Sequence, residues 1–182
     1  TQLAVDGFAS NDGRTLRPSF DAWAIKGGSS EVLRLVTATL LHGGVVHVVM
    51  NVWMLLQLGT VFEFLFGSAR LFVVYWLSGV IASATSVFFL EPHHVSVGAS
   101  GAIFGVAGGL LVLIGAMPAK HRWALSLRIQ IGVWSMATLI LGFVSPAVDN
   151  AAHVGGLIAG SAVALMFRPF VTAPATPGTP SP

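Results

Sequence analysis

Ser100 is the residue whose setting asks for a chemical explanation. It lies in Val97-Gly98-Ala99-Ser100-Gly101-Ala102-Ile103-Phe104-Gly105, one hydroxyl among small residues, ahead of an apolar run to Gly115. Taken alone, such a serine reads as a helix N-cap. With a base beside it, the same hydroxyl becomes a nucleophile. His47 and His153 are the two histidines that fall inside apolar stretches. Asn51 follows His47 by four residues, so the two share one helix face. The chemistry this set supports is acyl transfer. Ser100 attacks a carbonyl, and His153 takes its proton and returns it to the leaving amine. His47, Asn51 and the Ser100 amide at a helix N-terminus donate hydrogen bonds to the oxyanion. His47 and Asn51 have a plainer reading as interhelical hydrogen bonders. Glu63 and Asp149 are the candidates for a triad carboxylate, neither of them obvious, and a Ser–His dyad is the simpler expectation.

The elements that must position these residues are membrane spans. Of 182 residues, 54% are hydrophobic and 9% are charged, and the mean hydropathy is +0.82. Soluble domains carry about 25% charged residues, so this composition cannot cover a water-facing surface. Spans of roughly 20 apolar residues cross the hydrocarbon core as helices. The chain is therefore expected to be an all-α, polytopic transmembrane bundle with spans at about 44–66, 71–90, 99–117, 124–144 and 151–168. Residues 1–43 read as an exterior loop with short interfacial helices, and Pro-rich residues 169–182 as a disordered cytoplasmic tail. A net charge of +2 without a basic cluster gives no sign of a nucleic-acid partner, and the absence of Cys excludes thiolate metal sites and disulfides. His42 and His47 lack the HExxH pattern, and His93 and His94 have no ligand partners at suitable spacing, so no metal or organic cofactor is expected. The five Trp read mostly as interfacial or lipid-facing.

Loop charges set the orientation. Arg70, Lys120, Arg122 and Arg168 mark one side as cytoplasmic, while the 91–98 and 145–150 loops carry no Lys or Arg. Arg14, Arg17, Lys26 and Arg34 on the exterior side conflict with this. The conflict predicts one further span upstream of Thr1. Alternation of the spans then brings His47, Asn51, Ser100 and His153 to similar depth near the exterior side. Polar residues inside a membrane usually face the bundle interior and mark function. Gly101, Gly105 and Gly109 recur every four residues on the third span, as do Gly156 and Gly160 on the fifth. Such small-residue faces let helix backbones approach closely in lipid. If these two faces pack together, Ser100 and His153 meet.

With these elements in hand, the chain resembles the rhomboid intramembrane serine proteases. The matching residues are Glu31-Val-Leu-Arg34-Leu-Val-Thr37, His42-Gly-Gly-Val-Val-His47-Val-Val-Met-Asn51, Gly59-x-x-x-Glu63-x-x-x-Gly67, Gly98-Ala-Ser100-Gly101 and Ala152-His153-x-x-Gly156-x-x-x-Gly160. They run in family order over residues 31–160. The resemblance implies a six-helix core, five helices of which are present, that cleaves transmembrane segments of membrane proteins near the exterior face. It implies Ser100 as nucleophile, His153 as base, and His47 and Asn51 as oxyanion-hole residues. Phe104 matches an aromatic position that packs against the histidine, and Glu31 and Arg34 match groups that brace the first loop. The expected partners are transmembrane substrates and the bilayer, and the expected location is a bacterial inner membrane with the site facing the exterior. A catalytically inactive rhomboid-like protein that binds membrane clients is the alternative. A small transporter or channel is the third reading, but the spans offer only Glu63 and Arg128, near the cytoplasmic ends, instead of paired midplane charges.

Overall fold

The computed structural model describes residues 35–89, 98–117, 122–145 and 148–170. The expectations for Glu31, Arg34, His93, His94, the first 34 residues and the Pro-rich tail lie outside those residues. Within the described residues the chain is helical, with five α-helices: α1 (Val45–Phe66), α2 (Ser68–Phe89), α3 (Ser100–Gly115), α4 (Arg122–Val144) and α5 (Asn150–Leu165). A short 3-10 turn, Ala38–Leu40, precedes α1. Helices α1, α2 and α4 have 22, 22 and 23 residues and are long and apolar enough to cross a membrane. At about 1.5 Å per residue they reach roughly 33 Å, against a hydrocarbon core of about 30 Å. Helices α3 and α5 have 16 residues each.

Gly67 is the whole connection between α1 and α2. It adopts φ 88°, a conformation open mainly to glycine, and its N–H closes α1 by donating to the Glu63 carbonyl. The Ser68 hydroxyl donates to the Glu63 carboxylate across the same corner. Because one residue makes the turn, α2 begins three residues earlier than the hydropathy pattern places its span.

The outer helices present apolar side chains all round. Val49 and Trp53 on α1, Phe72 on α2 and Val133, Ile140 and Phe143 on α4 are exposed, which suits lipid and not water. The centre belongs to α3, where 12 of 16 residues are buried. It packs against each of the other four helices and most intimately against α5.

Glycine makes that last contact. A Cβ on Gly156 would run into the Gly101 carbonyl, and one on Gly160 into the Gly105 backbone. On the other side, a Cβ on Gly101 would come within 2.6 Å of the Ala82 side chain, and one on Gly105 would overlap Ser78, both on α2. Helix α3 is thus held between α2 and α5 at backbone distance. The contacts advance together along the two chains, from Gly101 with Gly156 to Gly105 with Gly160, so α3 and α5 run parallel. At their far ends, Arg70 donates to the Phe66 carbonyl at 2.8 Å and lies 5.9 Å from the Phe167 ring centre. Phe62, Val74, Val106, Leu110 and Leu113 fill the core between α1, α2 and α3.

Candidate active site

The parallel pairing of α3 and α5 brings their N-termini together, and with them Ser100 and His153. Ser100 is the first residue of α3 and His153 the fourth of α5. The Ser100 Oγ lies 2.9 Å from His153 Nε2. With the proton on Nδ1, the hydroxyl donates to Nε2, the arrangement a general base requires. His153 is buried, and its ring stacks on Phe104 with centroids 4.3 Å apart and planes 5° apart. Phe104 is one helical turn after Ser100, so a single helix supplies both the hydroxyl and the plate against which the imidazole lies.

Among the described residues the imidazole has no partner at its other nitrogen: His153 Nδ1 is buried and makes no hydrogen bond with them. Neither carboxylate considered for a triad reaches it by a hydrogen bond. Glu63 is exposed and bonded to Ser68 at the opposite end of the bundle. Asp149 is the N-cap of α5, where its side chain accepts from Ala152 N at 2.9 Å. The described geometry is that of a hydroxyl–imidazole dyad.

The Gly98-Ala99 turn joins this pair to α1. Gly98 N donates to the Ala38 carbonyl at 2.9 Å, tying the turn to the 3-10 segment ahead of α1. Gly98 has φ 129°. A Cβ there would approach His47 Cε1 to 2.7 Å, His47 Nε2 to 2.8 Å and Asn51 Nδ2 to 3.4 Å. His47 and Asn51 therefore lie directly beneath the turn that leads into Ser100. Asn51 is buried, and its Nδ2 has no acceptor among the described residues. An unsatisfied buried donor costs about 1–3 kcal/mol, and it is available to a group that arrives next to Ser100. The Ser100 amide, at the first position of a helix, has no partner within that helix. His42 donates from Nδ1 to the Leu40 carbonyl at 3.2 Å, and its ring meets His47 edge-on at 5.2 Å. His42 thus backs His47.

Gly98→Ala carries a double penalty, from a backbone conformation that costs a side chain about 1–3 kcal/mol and from collision with His47. The expected result is a lower unfolding temperature in detergent together with a marked loss of Ser100 reactivity. Wild-type behaviour in both measurements would contradict the packing described for this turn.

Sequence reasoning missed three features. Trp134, read with the other tryptophans as interfacial or lipid-facing, instead lies 4.9 Å from the Phe104 ring and backs it. Nothing in an apolar helix distinguishes a tryptophan that faces lipid from one that faces a neighbour. Ser86, buried on α2, donates to Asp149 Oδ2 at 2.5 Å. Asn150 donates to the Leu139 carbonyl of α4 at 3.0 Å. The Asp-Asn pair before an Ala-Ala-His run is a helix-start signal, and it was open to being read as one.

These features define a multi-pass helical membrane protein with a hydroxyl–imidazole pair, its imidazole buried, at the shared end of two glycine-packed helices. Residues 29–170 match the Rhomboid domain, and the chain belongs to the rhomboid family. It is 38% identical over 142 residues to RHOMBOID-like protein 4 of Arabidopsis thaliana, covering 75% of this chain and 34% of that protein. It is 35% identical over 154 residues to Rhomboid protease GluP of Bacillus subtilis (strain 168), covering 82% of this chain and 30% of the other. It is also 29% identical over 150 residues to Inactive RHOMBOID-like protein 8 of Arabidopsis thaliana, with coverages of 81% and 42%. The chain thus spans about a third of the length of the first two. The similar proteins come mostly from a plant, so family membership assigns no bacterial origin to this chain.

Proposed function

We propose that this chain is an intramembrane serine endopeptidase that cleaves transmembrane segments of other membrane proteins near the exterior face. The observation that carries the reading is the 2.9 Å approach of Ser100 Oγ to His153 Nε2 inside an apolar bundle. The unpartnered Asn51 amide beside the same turn supports it.

The steps follow from the positions. His153 accepts the Ser100 proton as Oγ bonds to the scissile carbonyl carbon. The oxygen of that carbonyl takes the electron pair and meets donors from Asn51, His47 and the Ser100 amide. As the tetrahedral species collapses, His153 gives its proton to the leaving nitrogen, and the acyl group stays on Ser100. Water, deprotonated by His153, then attacks the ester and frees the serine. Substrate enters as a helix that unwinds locally, since a helical carbonyl is already bonded to its own backbone.

Asn51→Ala removes one oxyanion donor. The expected cost is about 3 kcal/mol, a drop in kcat on the order of 10²-fold, measured as cleavage of a reporter transmembrane segment in vesicles. An unchanged rate would remove Asn51 from the site. The direct test of the reading is labelling of the detergent-solubilised protein by a fluorophosphonate, lost in Ser100→Ala. A folded wild-type protein that never labels would favour the inactive, client-binding alternative.

A further inference from the structure

In serine proteases with a triad, a carboxylate bonded to Nδ1 holds the imidazole in place. Here His153 Nδ1 has no such partner among the described residues. The ring is held by its stack on Phe104 and by its own backbone, and that backbone belongs to the first turn of a helix. First turns lack part of their hydrogen bonding and open most readily. Something must keep this one closed.

Resting on the protease reading, we propose that Asp149 and Asn150 are positioning residues. They form a two-armed clamp that fixes the N-terminus of α5 between α2 and α4 and so sets the distance from His153 to Ser100. The arm to α2 is Asp149. Its backbone carbonyl accepts from His153 N at 3.1 Å, and its Oδ1 accepts from Ala152 N at 2.9 Å. Both bonds that open the helix therefore end on one residue. Its second carboxylate oxygen, Oδ2, accepts from Ser86 on α2 at 2.5 Å, and Ser86 is fully buried. This carboxylate anchors the helix that carries the base and makes no hydrogen bond to the base.

The arm to α4 is Asn150. Its Nδ2 donates to the Leu139 carbonyl at 3.0 Å. Its side chain occupies the notch left by Gly142, where any Cβ would overlap it. Helix α4 otherwise touches α5 little, so this bond is a principal tie between them. The residues of the clamp (Ser86, Gly142, Asn150 and the N-cap Asp149) join three helices, and the hydrogen bonds described for them end on neither the serine hydroxyl nor the imidazole ring.

Two measurements test the clamp. The first is backbone hydrogen exchange of the full chain in detergent, which needs no activity. Asp149→Ala, Asn150→Ala and Gly142→Ala are each expected to speed exchange of amides 150–156 about tenfold and to leave 157–165 unchanged. Unchanged exchange, or acceleration spread evenly along α5, would overturn the clamp. The second is steady-state cleavage. The same variants are expected to lose about tenfold in kcat with KM preserved, whereas Asp149→Asn stays within about threefold of wild type, because its side-chain oxygen still caps Ala152 N. If Asp149→Asn were as impaired as Asp149→Ala, the charge and not the geometry would matter, and the positioning role would be wrong. Failure of the wild-type protein to react with a fluorophosphonate would count against the protease reading, and the exchange data would still decide the clamp.

Discussion

Ser100→Ala and His153→Ala should each abolish cleavage while leaving the bundle folded. In soluble serine proteases, losing the nucleophile or the base costs on the order of 10⁶ in kcat, and losing both costs little more, because the two act as a unit. The same non-additivity is expected here, since one hydrogen bond joins the hydroxyl to the imidazole. Rates for the two single variants and the double variant, from a reporter transmembrane segment in vesicles, should coincide near background. Ser100→Ala deletes one oxygen from a half-buried helix start and should leave the unfolding temperature unchanged. His153→Ala also removes a ring stacked on Phe104 and should lower that temperature modestly. A double variant much slower than either single one would mean that the two side chains act independently and that some other residue serves as base.

The second large effect concerns the fold itself. Gly160 faces the Gly105 backbone, and Gly156 faces the Gly101 carbonyl. No rotamer change relieves a Cβ placed against a rigid backbone. Ordinary overpacking costs about 1–3 kcal/mol and occasionally more; here the neighbour is main chain, so the cost should lie at or above the top of that range. Gly160→Val is therefore expected to separate α3 from α5, lower the unfolding temperature sharply and abolish fluorophosphonate labelling. Gly132→Val serves as the control, because none of the described residues lies within 4 Å of a Cβ at Gly132. It should be nearly silent. Equal tolerance at Gly160 and Gly132 would refute the close backbone packing.

Much of this was open to reading from the sequence, for reasons that differ by element. The all-α membrane class follows from apolar length and scarce charge, which depend on local composition alone. The α3–α5 pairing follows from glycines at four-residue spacing, because a small face in lipid has few other uses. From that pairing the approach of Ser100 to His153 follows, since each stands at the head of its ridge. Trp134 was not legible, because its neighbour Phe104 is on another helix and nothing around Trp134 in the sequence of α4 marks which side meets that helix. Beyond the helix start that the Asp-Asn pair signals, the arms that Asp149 and Asn150 extend to α2 and α4 were not legible either. Asp149 looked like a candidate third member of a triad, and only the direction of its carboxylate toward Ser86 and Ala152 N separates a cap from a catalytic partner. His42 behind His47 likewise depends on how the chain enters α1.

The separation of the dyad along the chain has a consequence for biosynthesis. The two partners stand 53 positions apart in the chain, and all of α4 is threaded between them. Until α5 has emerged, the hydroxyl on α3 has no imidazole beside it, whatever α1 and α2 have already done. On the protease reading, reactivity arises only when α5 docks, so a copy that still lacks α5 is chemically silent toward its neighbours in the membrane. Time-resolved labelling during synthesis would register the completion of assembly and not its start.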